Sequence, residues 1–188
     1  MNPTTIIILV VAAVVVIFIA WAIAKRNSFV TLTNTVEEGF ATIDVYLKKR
    51  YDLIPNLLET VKGYMKHEKG TFESVVKARS MAMNAGPEGK AEAENMLSGT
   101  LKTLFAVAES YPELKANTQF LELQEQLKAI ETELAQARKY YNAVVKTYNT
   151  KIKLFPDNIV ANMMKLEKKA YFELDSDVER KNVKISFD

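Results

Sequence analysis

The one histidine of the chain, His67, is followed directly by Glu68. On a helix, a His-Glu-x-x-His string holds zinc through two imidazoles one turn apart, with the glutamate as general base. The residue standing where the second imidazole belongs is Thr71, so the pair reads better as the closing turn of a helix. With no cysteine in 188 residues, thiolate zinc sites, disulfides and cysteine nucleophiles are excluded. A lone histidine also leaves a serine-histidine triad short of support. Asp44, Asp52 and Glu59 fall on different helical faces and read as solvated carboxylates rather than ligands. These residues predict no catalytic, cofactor or metal site, and therefore no enzyme.

Arg50 invites a different question, because it stands in a row of apolar positions. Phe29, Val36, Ile43, Arg50, Leu57 and Tyr64 recur every seven residues, with Phe40, Leu47, Ile54 and Val61 between them. That is the seam of a coiled-coil-like helix. Two placements are open for Arg50: its long stem carries the charge out to the bundle edge, or it is buried and needs partners. In the second case Tyr141 or Tyr148 on a facing helix supplies the acceptors, and the arginine fixes helix register.

The elements that position these residues emerge from the same repeat. The phase is unchanged across Pro55, which predicts one continuous, kinked helix from Phe29 to His67 rather than two helices and a loop. Gly70 is read as a break, after which Phe72, Val76, Arg79 and Met83 carry the seam. Gly86-Pro87 ends that helix, and Leu97, Leu101, Leu104 and Ala108 line the next, from about Glu88 to Glu109. Ser110-Tyr111-Pro112-Glu113 reads as a cap with proline in the first turn. A second long helix is predicted from Asn117 to Phe155. Phe120, Leu127, Leu134, Tyr141, Tyr148 and Phe155 stand seven apart, with Leu123, Ile130, Ala137 and Val144 between and Arg138-Lys139 outward. Asp157-Asn158 then caps a last helix to about Glu167, and Val183, Ile185 and Phe187 alternate as an extended tail.

The first 24 residues are of another kind. Ile6 to Ala24 is a run of nineteen uncharged, apolar residues, which as a helix rises ~28 Å, the thickness of a bilayer's hydrocarbon core. A cleaved signal wants a basic start and a shorter run, whereas Met1-Asn2-Pro3-Thr4-Thr5 has no charged side chain; a buried soluble helix fits still less well. Lys25-Arg26 on the C-terminal side keeps the rest of the chain in the cytoplasm by the positive-inside rule. The remaining chain carries nearly all of 25 basic and 23 acidic residues, a net charge of +2, so no nucleic-acid partner is indicated. The fold expected is all-α: a single N-terminal transmembrane helix (residues 1–27) and then an antiparallel, coiled-coil-like four-helix bundle with two long helices (residues 28–188).

Several strings carry a family likeness. They are Asn34-x-Val36-Glu37-Glu38, Ile43-Asp44-Val45, Arg50-Tyr51-Asp52-Leu53-Ile54-Pro55-Asn56-Leu57, Val61-Lys62-Gly63-Tyr64 and His67-Glu68. Tyr111-Pro112-Glu113-Leu114-Lys115-Ala116-Asn117, Tyr141-Asn142, Tyr148-Asn149-Thr150 and Phe155-Pro156 continue the pattern. With the N-terminal run, the chain resembles the LemA family over nearly its whole length. The resemblance implies one span in a bacterial inner membrane, a short N-terminus outside, a cytoplasmic bundle and no established activity. Relatives tend to show a Gly-Phe pair after the position of Val160-Ala161. Met163-Met164-Lys165 stands there instead, a departure that bears on the packing of the last helix.

The function expected is that of a membrane-anchored, non-catalytic scaffold. Its partners are the lipid bilayer through residues 6–24, further copies of itself as a homo-oligomer, and other membrane proteins. The alternative, which the resemblance suggests, is an adaptor or regulator of a membrane protein complex such as an envelope quality-control protease. Self-assembly predicts an apolar stripe outside the seam, for instance Tyr140, Val145 and Met163-Met164; an adaptor predicts a local charged patch.

Overall fold

The computed structural model describes residues 2–86 and 89–172. Six α-helices succeed one another there: α1 (Pro3–Lys62), α2 (Lys69–Asn84), α3 (Lys90–Ala108), α4 (Pro112–Lys115), α5 (Thr118–Lys151) and α6 (Asp157–Met163). No strand occurs among the described residues. The architecture is the all-α one expected, a long apolar N-terminal helix with further helices forming a bundle. The alternating tail at Val183, Ile185 and Phe187 lies outside the described residues.

Isoleucine and valine are middling helix formers in water, because branching at Cβ costs χ1 freedom. In hydrocarbon the backbone has no better way to satisfy its own N–H and C=O groups, and the run becomes helical. The large side chains from Ile6 to Ile19 are all exposed, and none of the most apolar window is buried within the chain. A soluble core helix would hide that surface, and its exposure points to membrane anchoring. It continues without a break into the rest of α1, through Lys25-Arg26-Asn27-Ser28 and past Pro55.

The chain forms two compact units. The first holds α1 up to Thr42, α5 from Ala137, and α6 with the segment after it. Its helices run antiparallel, since Ser28 meets Lys151 and the Phe40 ring meets that of Tyr141, 5.7 Å between centroids. Phe29, Val36, Tyr141, Val145, Tyr148, Val160 and Ala161 are buried here. The second unit holds α1 from Ile43, α2, α3, α4 and α5 up to Gln136, four substantial helices around Ile43, Leu47, Ile54, Leu57, Val75, Leu97, Leu104 and Leu134. Tyr46 with Glu133, Arg50 with Glu131, and Tyr64 with Asn117 pair in opposite chain directions, so α1 and α5 are antiparallel here too.

Several boundaries and faces differ from the expected ones. α1 stops at Lys62, and Gly63 and Tyr64 turn the chain. Met65 is therefore fully buried, while Tyr64 leaves the seam. Gly70 is not a break but lies in the first turn of α2. The inner face of α2 is Phe72, Val75, Ala78 and Ala82, with Val76 and Met83 exposed. Small side chains face inward because α2 packs directly on α3; the periodicity alone favoured the larger apolar residues one position along. Pro112 opens only the short α4, and α5 has its own cap, Asn117, whose side-chain oxygen accepts from the Phe120 N–H at 2.9 Å. α5 ends at Lys151, four residues before Phe155, which is 81% exposed rather than in the seam. Val145 is buried where Val144 was expected, and Arg138 is buried where an outer residue was expected.

α6 is shorter than predicted because it closes with a Schellman turn. Leu166 N–H donates to the Ala161 carbonyl and Lys165 N–H to that of Asn162, both at 3.0 Å, and Lys165 takes the left-handed conformation with φ 53°. Leu166 packs back on Phe29, Val160 and Ala161. Beyond it the chain is extended and tied to α5. The Asn149 amide donates to the Lys169 carbonyl and accepts from the Lys169 N–H, each at 2.9 Å, and the Tyr141 hydroxyl donates to the Ala170 carbonyl at 3.0 Å.

Candidate functional site

The most concentrated chemistry in the second unit surrounds Arg50, which is 2% exposed. The guanidinium does not reach the bundle edge, and its partners are not Tyr141 or Tyr148. Its Nη2 donates to Ser98 Oγ at 2.8 Å, and its Nη1 lies 3.5 Å from Glu94 and 3.2 Å from Glu131. Glu94 is fully buried, and its other oxygen accepts the Tyr51 hydroxyl. One cation thus joins α1, α3 and α5 through two carboxylates and a hydroxyl. Burial first, and then the hydrogen bond to Glu94, raises the Tyr51 phenol well above its ordinary range. Tyr51 therefore holds its proton at neutral pH and serves as a donor, not as a base or nucleophile. A cleft of about 400 Å³ opens beside this cluster, lined by Leu101, Phe105, Leu127, Lys102 and Lys128 among others.

A second polar contact accounts for the proline in the helix. Pro55 has no N–H, so the carbonyl of Tyr51, one turn earlier, loses its intrahelical donor. Arg79 of α2 replaces it: its Nε donates to the Tyr51 oxygen at 2.9 Å. The helix keeps going because an arginine from a neighbour fills the gap. Sequence reasoning set Arg79 in the α2 seam without a task, and it found no partner for Arg50 in Glu94, Ser98 or Glu131. Glu94 had a legible signal, since it continues the inner phase of Leu97, Leu101 and Leu104 back by one step.

In the first unit the notable cluster lies where α1 leaves its apolar run. Trp21 packs against a core of Phe29, Val160 and Ala161, together with Ile152, Met164 and Leu166. Lys25 Nζ lies 2.6 Å from Asp157. Lys151 donates to Ser28 and sits 5.5 Å from the Phe29 ring centroid. Asn149 is buried and clamps the segment after α6.

The remaining sequence candidates are dispersed. His67 is exposed in the turn between α1 and α2, and Glu68 accepts a hydrogen bond from Tyr111 at 3.1 Å. Asp44, Asp52 and Glu59 are exposed. Among the described residues no group of three metal-ligating side chains gathers.

Comparison with known proteins places these features in company. The LemA family matches residues 39–187. The chain is 25% identical to Protein LemA of Metamycoplasma hominis over 87% of its length and 75% of that protein's. It is likewise 25% identical to Magnetosome protein MamQ 2 of Paramagnetospirillum magneticum, over 84% of its own length and 68% of the relative's. Magnetosome protein MamQ of Magnetospirillum gryphiswaldense is 22% identical, over 91% and 73%. None of these names is that of an enzyme.

Proposed function

The chain belongs to the LemA family, and from that premise we propose that it is a membrane-anchored helical scaffold that self-associates and presents its helices to other membrane proteins, without catalysis of its own. The observation that carries this reading is the unbroken α1, in which the bilayer-spanning segment and the helix of the folded unit are one element. Because the helix continues through Lys25-Arg26-Asn27-Ser28 into the first unit, the position of the membrane is passed directly to that unit. The chemistry of the buried groups supports it as well: Arg50, Glu94 and Tyr51 satisfy one another and leave no activated nucleophile. For self-association the support is apolar surface outside the core of each unit, Tyr140 on α5 in the first and Val76, Met81 and Met83 on α2 in the second, all exposed. Val145, buried, takes no part in such a stripe. The basic pair Lys25-Arg26 supports a cytoplasmic bundle by the positive-inside rule.

The test is the native mass of the full-length protein, gently extracted from its own membrane. Integer multiples of 21.2 kDa, once detergent is subtracted, are expected. Excess mass made of other polypeptides would replace self-assembly by the adaptor role. A protein that stays monomeric and alone would end the scaffold reading.

A further inference from the structure

The α5–α6 junction carries a surface that neither the fold nor the anchor uses. Leu154, Phe155, Ile159 and Met163 are 57%, 81%, 41% and 78% exposed. Four large apolar side chains within ten residues is an unusual content for a loop and a short helix facing water. Their height relative to the bilayer is set by the packing within the first unit. Trp21 and Phe29 of α1 bracket the end of the apolar run at Ala24, and both pack against the core to which Val160 and Ala161 belong. The Lys25–Asp157 ion pair fastens the first residue of α6 to the first charge after the span. Residues 152–166 are therefore held beside the point where α1 leaves the hydrocarbon. Tryptophan and lysine at that point are themselves the residues that favour the headgroup layer. Basic side chains accompany the apolar ones: Arg26, Lys153, Lys165 and Lys168 are exposed.

We propose that this junction is a second membrane contact, in which Phe155, Leu154 and Met163 enter the boundary between headgroups and acyl chains of the bilayer that α1 crosses, while the neighbouring lysines meet anionic headgroups. Exposed apolar groups joined to a basic flank are what an interfacial segment requires. Continuity with the span selects the bilayer as the occupant. The first unit then rests on the membrane at two places, the helix and the junction, which fixes its tilt as a single helix does not. The inference depends on α1 being the anchor, and the experiment separates the two.

Because the chain has no cysteine, single cysteines report one position at a time. Full-length protein carrying Phe155→Cys, Ile17→Cys or Lys139→Cys is labelled with a polarity-sensitive fluorophore and placed in nanodiscs of phosphatidylglycerol and phosphatidylcholine. Lipids bearing a quencher just below the headgroup, which tests position 155, or deep in the acyl chain, which tests position 17, are then introduced. The expected result is loss of fluorescence at 155 and at 17, none at 139, and a smaller loss at 155 when phosphatidylglycerol is omitted. Quenching at 17 with none at 155 overturns the second contact and leaves the anchor standing. No quenching at either removes both. A blue-shifted but unquenched signal at 155 that grows with the number of chains per disc assigns the surface to a second copy of the protein and overturns the lipid contact. The label at 139 controls for the dye's own affinity for lipid.

Discussion

Arg79→Met tests whether the arginine of α2 substitutes for the N–H that Pro55 lacks. Methionine keeps most of the apolar stem and removes the donor that reaches the Tyr51 carbonyl at 2.9 Å. A hydrogen bond from a charged donor contributes about 1.5–3 kcal/mol, and leaving a part-buried carbonyl bare brings the loss to the middle of that range, about 2 kcal/mol. For a chain of this size that is a fall of roughly 4–8 °C in the unfolding temperature, monitored by circular dichroism of the full-length protein in mild detergent. The decisive measurement repeats the substitution in a Pro55→Ala background. There residue 55 regains its N–H and the helix supplies the Tyr51 oxygen internally. The cost of Arg79→Met should then shrink to about 0.5 kcal/mol, a coupling of about 1.5 kcal/mol between positions 55 and 79. An equal cost in both backgrounds would refute the reasoning and reduce Arg79 to ordinary packing.

Glu94→Leu should cost about 3 kcal/mol, since Arg50 is left buried with only Ser98 and the half-exposed Glu131, and the Tyr51 hydroxyl loses its acceptor. The double variant Arg50→Leu with Glu94→Leu should cost less than the sum of the two singles, by a thermal-denaturation cycle. Lys165→Gly should stabilise by about 1 kcal/mol, because a side chain in the left-handed region at φ 53° is relieved; a lowered unfolding temperature would contradict the Schellman reading. Asn149→Ala removes both bonds to Lys169 and should speed amide exchange of residues 165–171 while leaving α3 unchanged. Tyr51 holds its proton more tightly in the folded chain than in the unfolded one. Its share of stability is intact below the ordinary phenol value of 10.0 and is lost as pH rises beyond it. Tyr51→Phe should therefore flatten the alkaline decline in denaturant midpoint above pH 10.

The candidate span from Ile6 to Ala24 was legible because a bilayer imposes a one-dimensional requirement, a stretch of uncharged residues long enough to cross it. The long helices were legible because a seam repeats in the sequence at the period of the helix itself, so Val36, Ile43, Leu57, Leu127 and Leu134 declare their burial locally. Where the seam is made of alanine, as at Ala78 and Ala82 of α2, the pattern lost contrast and the phase was misread by one residue. Helix ends were displaced for a related reason: α5 stops at Lys151 and α6 at Met163 through turn geometry and packing on Phe29, neither of which leaves a periodic trace. Polar interior contacts were the least legible of all. Arg50 stood out by its position, but its partners lie on α3 and α5, 44, 48 and 81 residues away in the chain. Pairing of charges depends on which side chains meet in three dimensions, and distant residues carry no mark of it. The sequence by itself determined which stretch is long and apolar enough to cross a membrane and that the chain is helical. Only the tertiary structure decided that Arg79 completes the helix at Pro55, that Asn149 ties down the chain after α6, and that Phe155 is exposed beyond the end of α5 instead of in the seam.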